Sequence, residues 1–222
     1  MEETTPFAVK DCALISIATG VRVQTLRELK DKLSTVHPGS IYYHFWGRLL
    51  LPRFEETEYH NDFATWVYQE LRDDVLAERL AAVDPLEFSD IDDLRNELIE
   101  IIEERLDELE YIPWAKSEFH FKRAQIVVFD THHRIHDPKE LAQIVPKMTL
   151  SSIFYHFIEA RRRTPEHIDD FRSWLLGFDG KYKGLCQSLA SIDPYFTPLS
   201  TLREKLIEVF SNYFETAFEG EK

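Results

Sequence analysis

Cysteine is nearly absent from this 222-residue chain. Cys12 and Cys186 stand 174 residues apart with no CxxC spacing, which excludes a disulfide-stapled secreted framework and points to two free thiols in a reducing cytosol. Glycine is scarce too. The seven present form no glycine-rich phosphate loop, and neither a GxSxG elbow nor an HExxH pair occurs, so nucleotide-cradle, nucleophile-elbow and zincin chemistries have no sequence support. No apolar run approaches the ~20 residues of a membrane span. The opening Met1-Glu2-Glu3-Thr4-Thr5-Pro6 is acidic where a secretory signal is basic, so the expected location is the cytoplasm, with no membrane partner. Positive charge is the remaining shortage. With 26 Lys and Arg against 40 Asp and Glu, the formal charge is −14, which opposes general nucleic-acid binding because phosphate contacts come from Lys and Arg. What the chain does have is apolar and aromatic mass, 44% and 13%, enough to exclude intrinsic disorder and fibrous architectures.

The sequence also carries internal similarity. Ser40-Ile41-Tyr42-Tyr43-His44-Phe45 recurs as Ser152-Ile153-Phe154-Tyr155-His156-Phe157, five of six residues identical at an offset of 112. Phe7, Lys10, Thr19, Arg22, Glu28 and Leu29 match Phe119, Lys122, Thr131, Arg134, Glu140 and Leu141 at the same offset. Asp62-Phe63-Ala64-Thr65-Trp66 matches Asp170-Phe171-Arg172-Ser173-Trp174 at 108, and Leu80-Ala81-Ala82-Val83-Asp84-Pro85 matches Leu189-Ala190-Ser191-Ile192-Asp193-Pro194 at 109. The matches are colinear, which predicts two tandem repeats over 6–106 and 118–214, joined by a 107–117 linker containing Tyr111-Ile112-Pro113-Trp114.

Each repeat reads in one order. Leu14-Ile15-Ser16-Ile17 and Val21-Arg22-Val23 flank Thr19-Gly20, and Ile126-Val127-Val128-Phe129 precedes Asp130-Thr131-His132-His133; apolar β-formers around a turn predict a short hairpin in each copy. Thr25 and Asp137 stand as N-caps before leucine-spaced helices, and the SIxYHF segment, apolar on nearly every side, reads as a buried helix starting at a serine cap. A further helix begins at DFxxW and breaks near Arg72-Asp73 or Gly177 to Gly180. A last one follows Ser89 or Thr197, and Trp66 and Trp174 are expected in the core. The predicted fold class is therefore α+β, predominantly helical, with two tandem repeats, each a short β-hairpin followed by about four helices. The succession of SIxYH, DFxxW, LAxxDP and a final LRxxLIE helix resembles an uncharacterised prokaryotic family of domains of unknown function. That resemblance covers both repeats and implies a fold without implying a reaction.

Candidate chemistry sits at three places. Tyr43-His44 and Tyr155-His156 pair a group that changes charge near neutral pH with a phenol, a combination suited to a ligand site or to acid–base work. The alternative is structural, with each imidazole satisfied by a hydrogen bond to a carboxylate, Asp62 or Asp170, or to a backbone carbonyl. Asp130, His132 and His136 would share one face of an extended segment and offer a weak metal set, although the spacing matches no closed zinc motif; a solvated turn, with Asp137 as a helix cap, is the other reading. Arg161-Arg162-Arg163 either complements the end of a helix or forms an anion-binding or acidic-partner patch.

Together these features predict a non-enzymatic cytoplasmic binding or interaction module with no cofactor, its partner an unidentified protein or small molecule. The alternative is a hydrolase-type enzyme using His44 and His156 or a metal at His132 and His136. The charge is uneven: 6–106 has 11 basic and 20 acidic residues, net −9, while 118–214 has 13 and 12, net +1. Asp90 to Glu110 alone holds ten acids against Arg95 and Arg105, one solvated helix face.

Overall fold

The structure, a computed structural model, describes residues 5–50, 58–164 and 166–219. Strand β1 spans Phe7–Val23 and is followed by helices α1 (Leu26–Leu33), α2 (Pro38–Leu50), α3 (Asp62–Trp66), α4 (Asp74–Ala81) and α5 (Ile91–Glu108). Strand β2, Phe119–Ile135, comes next. After it lie α6 (Leu141–Ile144), α7 (Leu150–Ile153), α8 (Ala160–Arg163), α9 (Asp170–Leu176), α10 (Lys183–Ala190) and α11 (Leu199–Glu219). Single π-helical turns, Val67–Leu71 and Phe154–Glu159, extend α3 and α7.

The expected tandem repeats, each opening with its own hairpin, are overturned. Each β-rich segment is one uninterrupted 17-residue strand, and β1 and β2 are hydrogen-bonded to each other in a single two-stranded sheet. The pairing is antiparallel: Thr19 donates its hydroxyl to the Phe121 carbonyl, while Thr131, near the far end of β2, donates to that of Val9. The misreading lies at Gly20 and His132. Both have left-handed backbones, φ +75° and +59°, the usual mark of a turn. Here each sits inside a strand, and the preceding threonine holds it there. The Thr19 and Thr131 hydroxyls accept the N–H groups of Val21 and His133 while donating across to the other strand. A left-handed residue held this way kinks a strand without reversing it, and main-chain groups that a local hairpin would have paired find partners on a distant segment instead.

The chain divides into two units, one of residues 14–126 and one of residues 1–13 with 127–222, so each strand begins in one unit and ends in the other. In the 14–126 unit, Thr25 caps α1 through its hydroxyl, and Glu28 reaches back to the Gln24 N–H. That start places Leu26, Leu29 and Leu33 on one fully buried stripe packed against α5. Burying each such leucine contributes about 2 kcal/mol. Helix α5 begins one residue later than Ser89 predicts. Asp90 is the cap, its carboxylate accepting the N–H groups of Asp92 and Asp93, and it adds a negative charge at the positive end of the helix dipole. From α5, the buried guanidinium of Arg95 donates to the carbonyls of Leu33 and Val36, which the end of α1 leaves unpaired. The linker prediction falls on the segment after α5, where the Ala115 N–H donates to the Gln24 carbonyl at 2.9 Å.

In the other unit, Asp137 caps as expected, in a capping box with Glu140. The SIxYHF helices differ from expectation at their starts. Helix α2 begins at Pro38, so Ser40 lies inside it and buried; α7 is capped by Thr149, and Ser152 donates its hydroxyl to the Lys10 carbonyl at 2.6 Å. Phe154, Phe157, Phe171, Leu175, Leu185, Leu189, Leu202, Leu206 and Phe210 are the core of this unit, with α11 packed on α6, α7 and α10.

Candidate functional site

In the 14–126 unit, α2 carries His44 into a shell of Tyr43, Phe63, Phe119 and Phe121, where it is 2% exposed. Its Nε2 accepts the backbone N–H of Lys122 on β2 at 3.1 Å. An amide N–H can only donate, so Nε2 bears the lone pair and the ring proton sits on Nδ1, facing Asp62 Oδ2 at 2.8 Å. The other oxygen of Asp62 receives Arg48 Nε at 2.6 Å, and Arg48 also donates to Thr65 Oγ1 at 3.0 Å. Burial lowers the pKa of His44 from its ordinary 6.5 and outweighs the hydrogen bond and charge of Asp62, which favour protonation; the charges of Lys122 and Arg48 add to the lowering. His44 is therefore a neutral imidazole bridging a helix to a strand.

The other unit repeats these bonds with different residues. The 2%-exposed His156 accepts the Lys10 N–H of β1 on Nε2 at 2.8 Å and holds Asp170 Oδ2 at 2.7 Å from Nδ1. Phe7, Tyr155 and Phe171 pack around the ring. The carboxylates expected to satisfy the two histidines are the ones that do so. The arginines are less regular. Arg48 lies four residues after His44, whereas at the 112 offset that place is taken by Ala160. Arg163, seven residues after His156 and past the π-helical turn, reaches Asp170 Oδ2 at 2.9 Å instead, and its guanidinium stacks 4.0 Å from the Tyr155 ring.

A cavity opens beside each histidine. The one in the 14–126 unit measures about 430 Å³ and is lined by Tyr43, His44, Arg48, Asp62, Trp66, Glu70, Glu118 and Lys122, among others. The Trp66 indole N–H donates to the Ser117 carbonyl at its edge. The second measures about 320 Å³, with Phe7, Lys10, Tyr155, His156, Arg163, Asp170, Ser173 and Trp174 in its wall. Trp174, expected in the core, is only half-buried and donates its indole N–H to the Thr5 carbonyl at 2.8 Å.

The other predicted site residues are dispersed. Of the arginine triplet, only Arg163 lines this cavity: Arg161 lies over the Phe157 ring and donates to the Phe157 carbonyl, and Arg162 faces Glu159 at 3.5 Å. The Asp130 carboxylate is held by both ends of the Arg134 fork, at 2.9 and 2.6 Å. Those bonds, with a further one from the His132 N–H, hold its pKa well below the usual carboxylate range. The backbone N–H of His136 is turned to Glu140. Among the described residues, no group of three or more His, Cys, Asp or Glu side chains is placed to hold a metal ion. Lys10, Lys122 and Arg48 join the cavities without lying in any motif of the sequence. The one sequence signal available was that Lys10 and Lys122 recur at the offset of the two histidines.

This arrangement defines a helical protein with a two-stranded sheet and a buried histidine–carboxylate pair tied to a strand in each unit. A family of unknown function, DUF5752, matches residues 4–211, and the chain belongs to that family. It is similar to the solved structure of OrfY from Thermoproteus tenax, with a TM-score of 0.82 and 27% identity over 96% of this chain and 97% of OrfY. No curated protein matches it.

Proposed function

We propose that the chain is a non-enzymatic binding module of the cytoplasm, whose cavities beside His44 and His156 hold a small polar ligand without transforming it. The observation that carries this reading is the state of the two imidazoles. Both ring nitrogens of each are engaged, one by a carboxylate and one by a main-chain N–H, so neither offers a lone pair to a substrate without breaking a helix-to-strand bond. A hydrolase using His44 or His156 would need such a nitrogen, and one using Asp130 with His132 and His136 would first have to release Asp130 from Arg134. The free thiols of Cys12 and Cys186 support the cytoplasmic placement, and the charge of −14 argues against general nucleic-acid binding. Among the described residues no helix is long and apolar enough to cross a membrane. SIxYH, DFxxW and LAxxDP are read as structural signatures of a prokaryotic family, since the first two supply the histidine, its aspartate and the packing rings.

The test is a pair of measurements on the wild-type chain: ligand-observed NMR against mixtures of polar metabolites, and turnover of chromogenic ester and phosphate substrates. Binding without turnover is expected. Turnover lost in folded His44→Gln or His156→Gln variants would overturn the proposal.

A further inference from the structure

The two cavities share a histidine–aspartate pair but differ in charge. In the 14–126 unit, Arg48 and Lys122 face Asp62, Glu70 and Glu118, so the acids outnumber the cations. In the other unit, Lys10 and Arg163 face Asp170 as the one acid among the described residues of the lining. Arg163 uses only Nη2 for its bonds to Tyr155 O and Asp170 Oδ2, which leaves its Nε–H and Nη1–H without a partner among the described residues. The Lys10 ammonium likewise has no ion pair among them. The neighbouring acid, Asp11, lies on the opposite face of β1 by strand alternation, and its carboxylate accepts the Cys12 N–H and the Thr149 hydroxyl. Stacking on Tyr155 fixes the plane of the guanidinium, and Tyr155 and Ser173 both line the cavity.

We infer that the cavity of Lys10, Tyr155, Arg163 and Ser173 is a binding site for the oxyanion group, phosphate or carboxylate, of a small molecule, and that the Arg48–Lys122 cavity is not. The free Nε–H and Nη1–H of Arg163 are two separate donors held in one plane, and Lys10 adds a point charge. The inference rests on the binding-module reading and names the ligand chemistry of one of its two cavities.

The experiment is an amide NMR titration of the intact labelled protein with sodium phosphate and, separately, sodium acetate, at constant ionic strength set by chloride. Saturable shifts confined to residues around Lys10, Tyr155, Arg163 and Ser173 are expected with at least one of the two ions; which ion binds more tightly distinguishes a phosphate from a carboxylate ligand. Lys10→Met and Arg163→Gln should each weaken that binding about tenfold or more, whereas Lys147→Met, outside both cavities, should leave it unchanged. Amide spectra of the variants report whether each remains folded; should Arg163→Gln lose its fold, Lys10→Met decides. Shifts that never saturate, that centre on Lys122, or that survive Lys10→Met would overturn the inference. Should neither ion bind while neutral ligands still shift these residues, this inference fails and the binding-module reading stands; turnover dependent on His156 would remove that reading instead.

Discussion

Acidification should loosen the 14–126 unit through one residue, His44. Its folded-state pKa is depressed below the ordinary 6.5, chiefly by burial, while in the unfolded chain it titrates near that ordinary value. Below pH 6.5 the unfolded state therefore binds the proton first, and stability falls as pH falls, from full strength above 6.5 down to the folded pKa. A single group of this kind contributes a slope of at most about 1.4 kcal/mol per pH unit, so the loss between about pH 7.5 and pH 5.5 is on the order of 1 kcal/mol at most. The residue facing it with opposite sign is Asp62, and Lys122 and Arg48 oppose its protonation. The check is urea denaturation at both pH values for the wild type and for His44→Gln, whose amide oxygen still accepts the Lys122 N–H. The variant is less stable at neutral pH and has a shallower pH dependence over this interval, by an amount on the order of 1 kcal/mol at most. Equal pH dependence in the two proteins would refute the reasoning, because the imidazole would then not be held neutral by burial.

Two further expectations concern local features. His132 stands in the left-handed region at φ +59°, which costs a side chain about 1 kcal/mol that glycine avoids, so His132→Gly should raise the denaturation midpoint by a comparable free energy; a lower midpoint would mean that the His132 side chain stabilises the strand. Cys12 is buried, donates to the Ser151 carbonyl, and has its thiol pKa pushed up to about 12, first by burial and then by Asp11 and Glu159, so alkylation followed by mass spectrometry should label half-buried Cys186 well before Cys12 in the native protein. Equal labelling rates would contradict that environment.

Much of the helical part of the fold was legible because its determinants are local. Thr25, Asp137 and the leucine spacing of α1 act within a single turn, and the apolar SIxYHF run had to be buried wherever it lay. The histidine–aspartate pairs were legible for a related reason, since a buried imidazole needs a partner and a matched aspartate recurs with each. What misled was Thr-Gly beside β-branched residues. A left-handed residue is compatible with both a reversal and a kink, and only the threonine hydroxyl bonds to the opposite strand select the kink. The role of Arg163 was hidden because Arg48 matches Ala160, and the residue that reaches the equivalent aspartate lies three positions further on, in the helix that follows the π-helical turn.

By itself, the sequence determined what must be inside: where the main helices lie, which faces are apolar, which histidines sit in apolar runs and need a partner, and that the second half is nearly neutral while the first is strongly acidic. The tertiary structure alone decided which strand pairs with which and which lysine N–H closes each imidazole. It also decided that, among the described residues, the cations outnumber the acids in the cavity beside His156 and not in the one beside His44. The physical reason is range. Capping, periodicity and propensity act over a few residues, whereas a strand edge takes any partner that satisfies its amides, and that partner here comes from more than a hundred residues away.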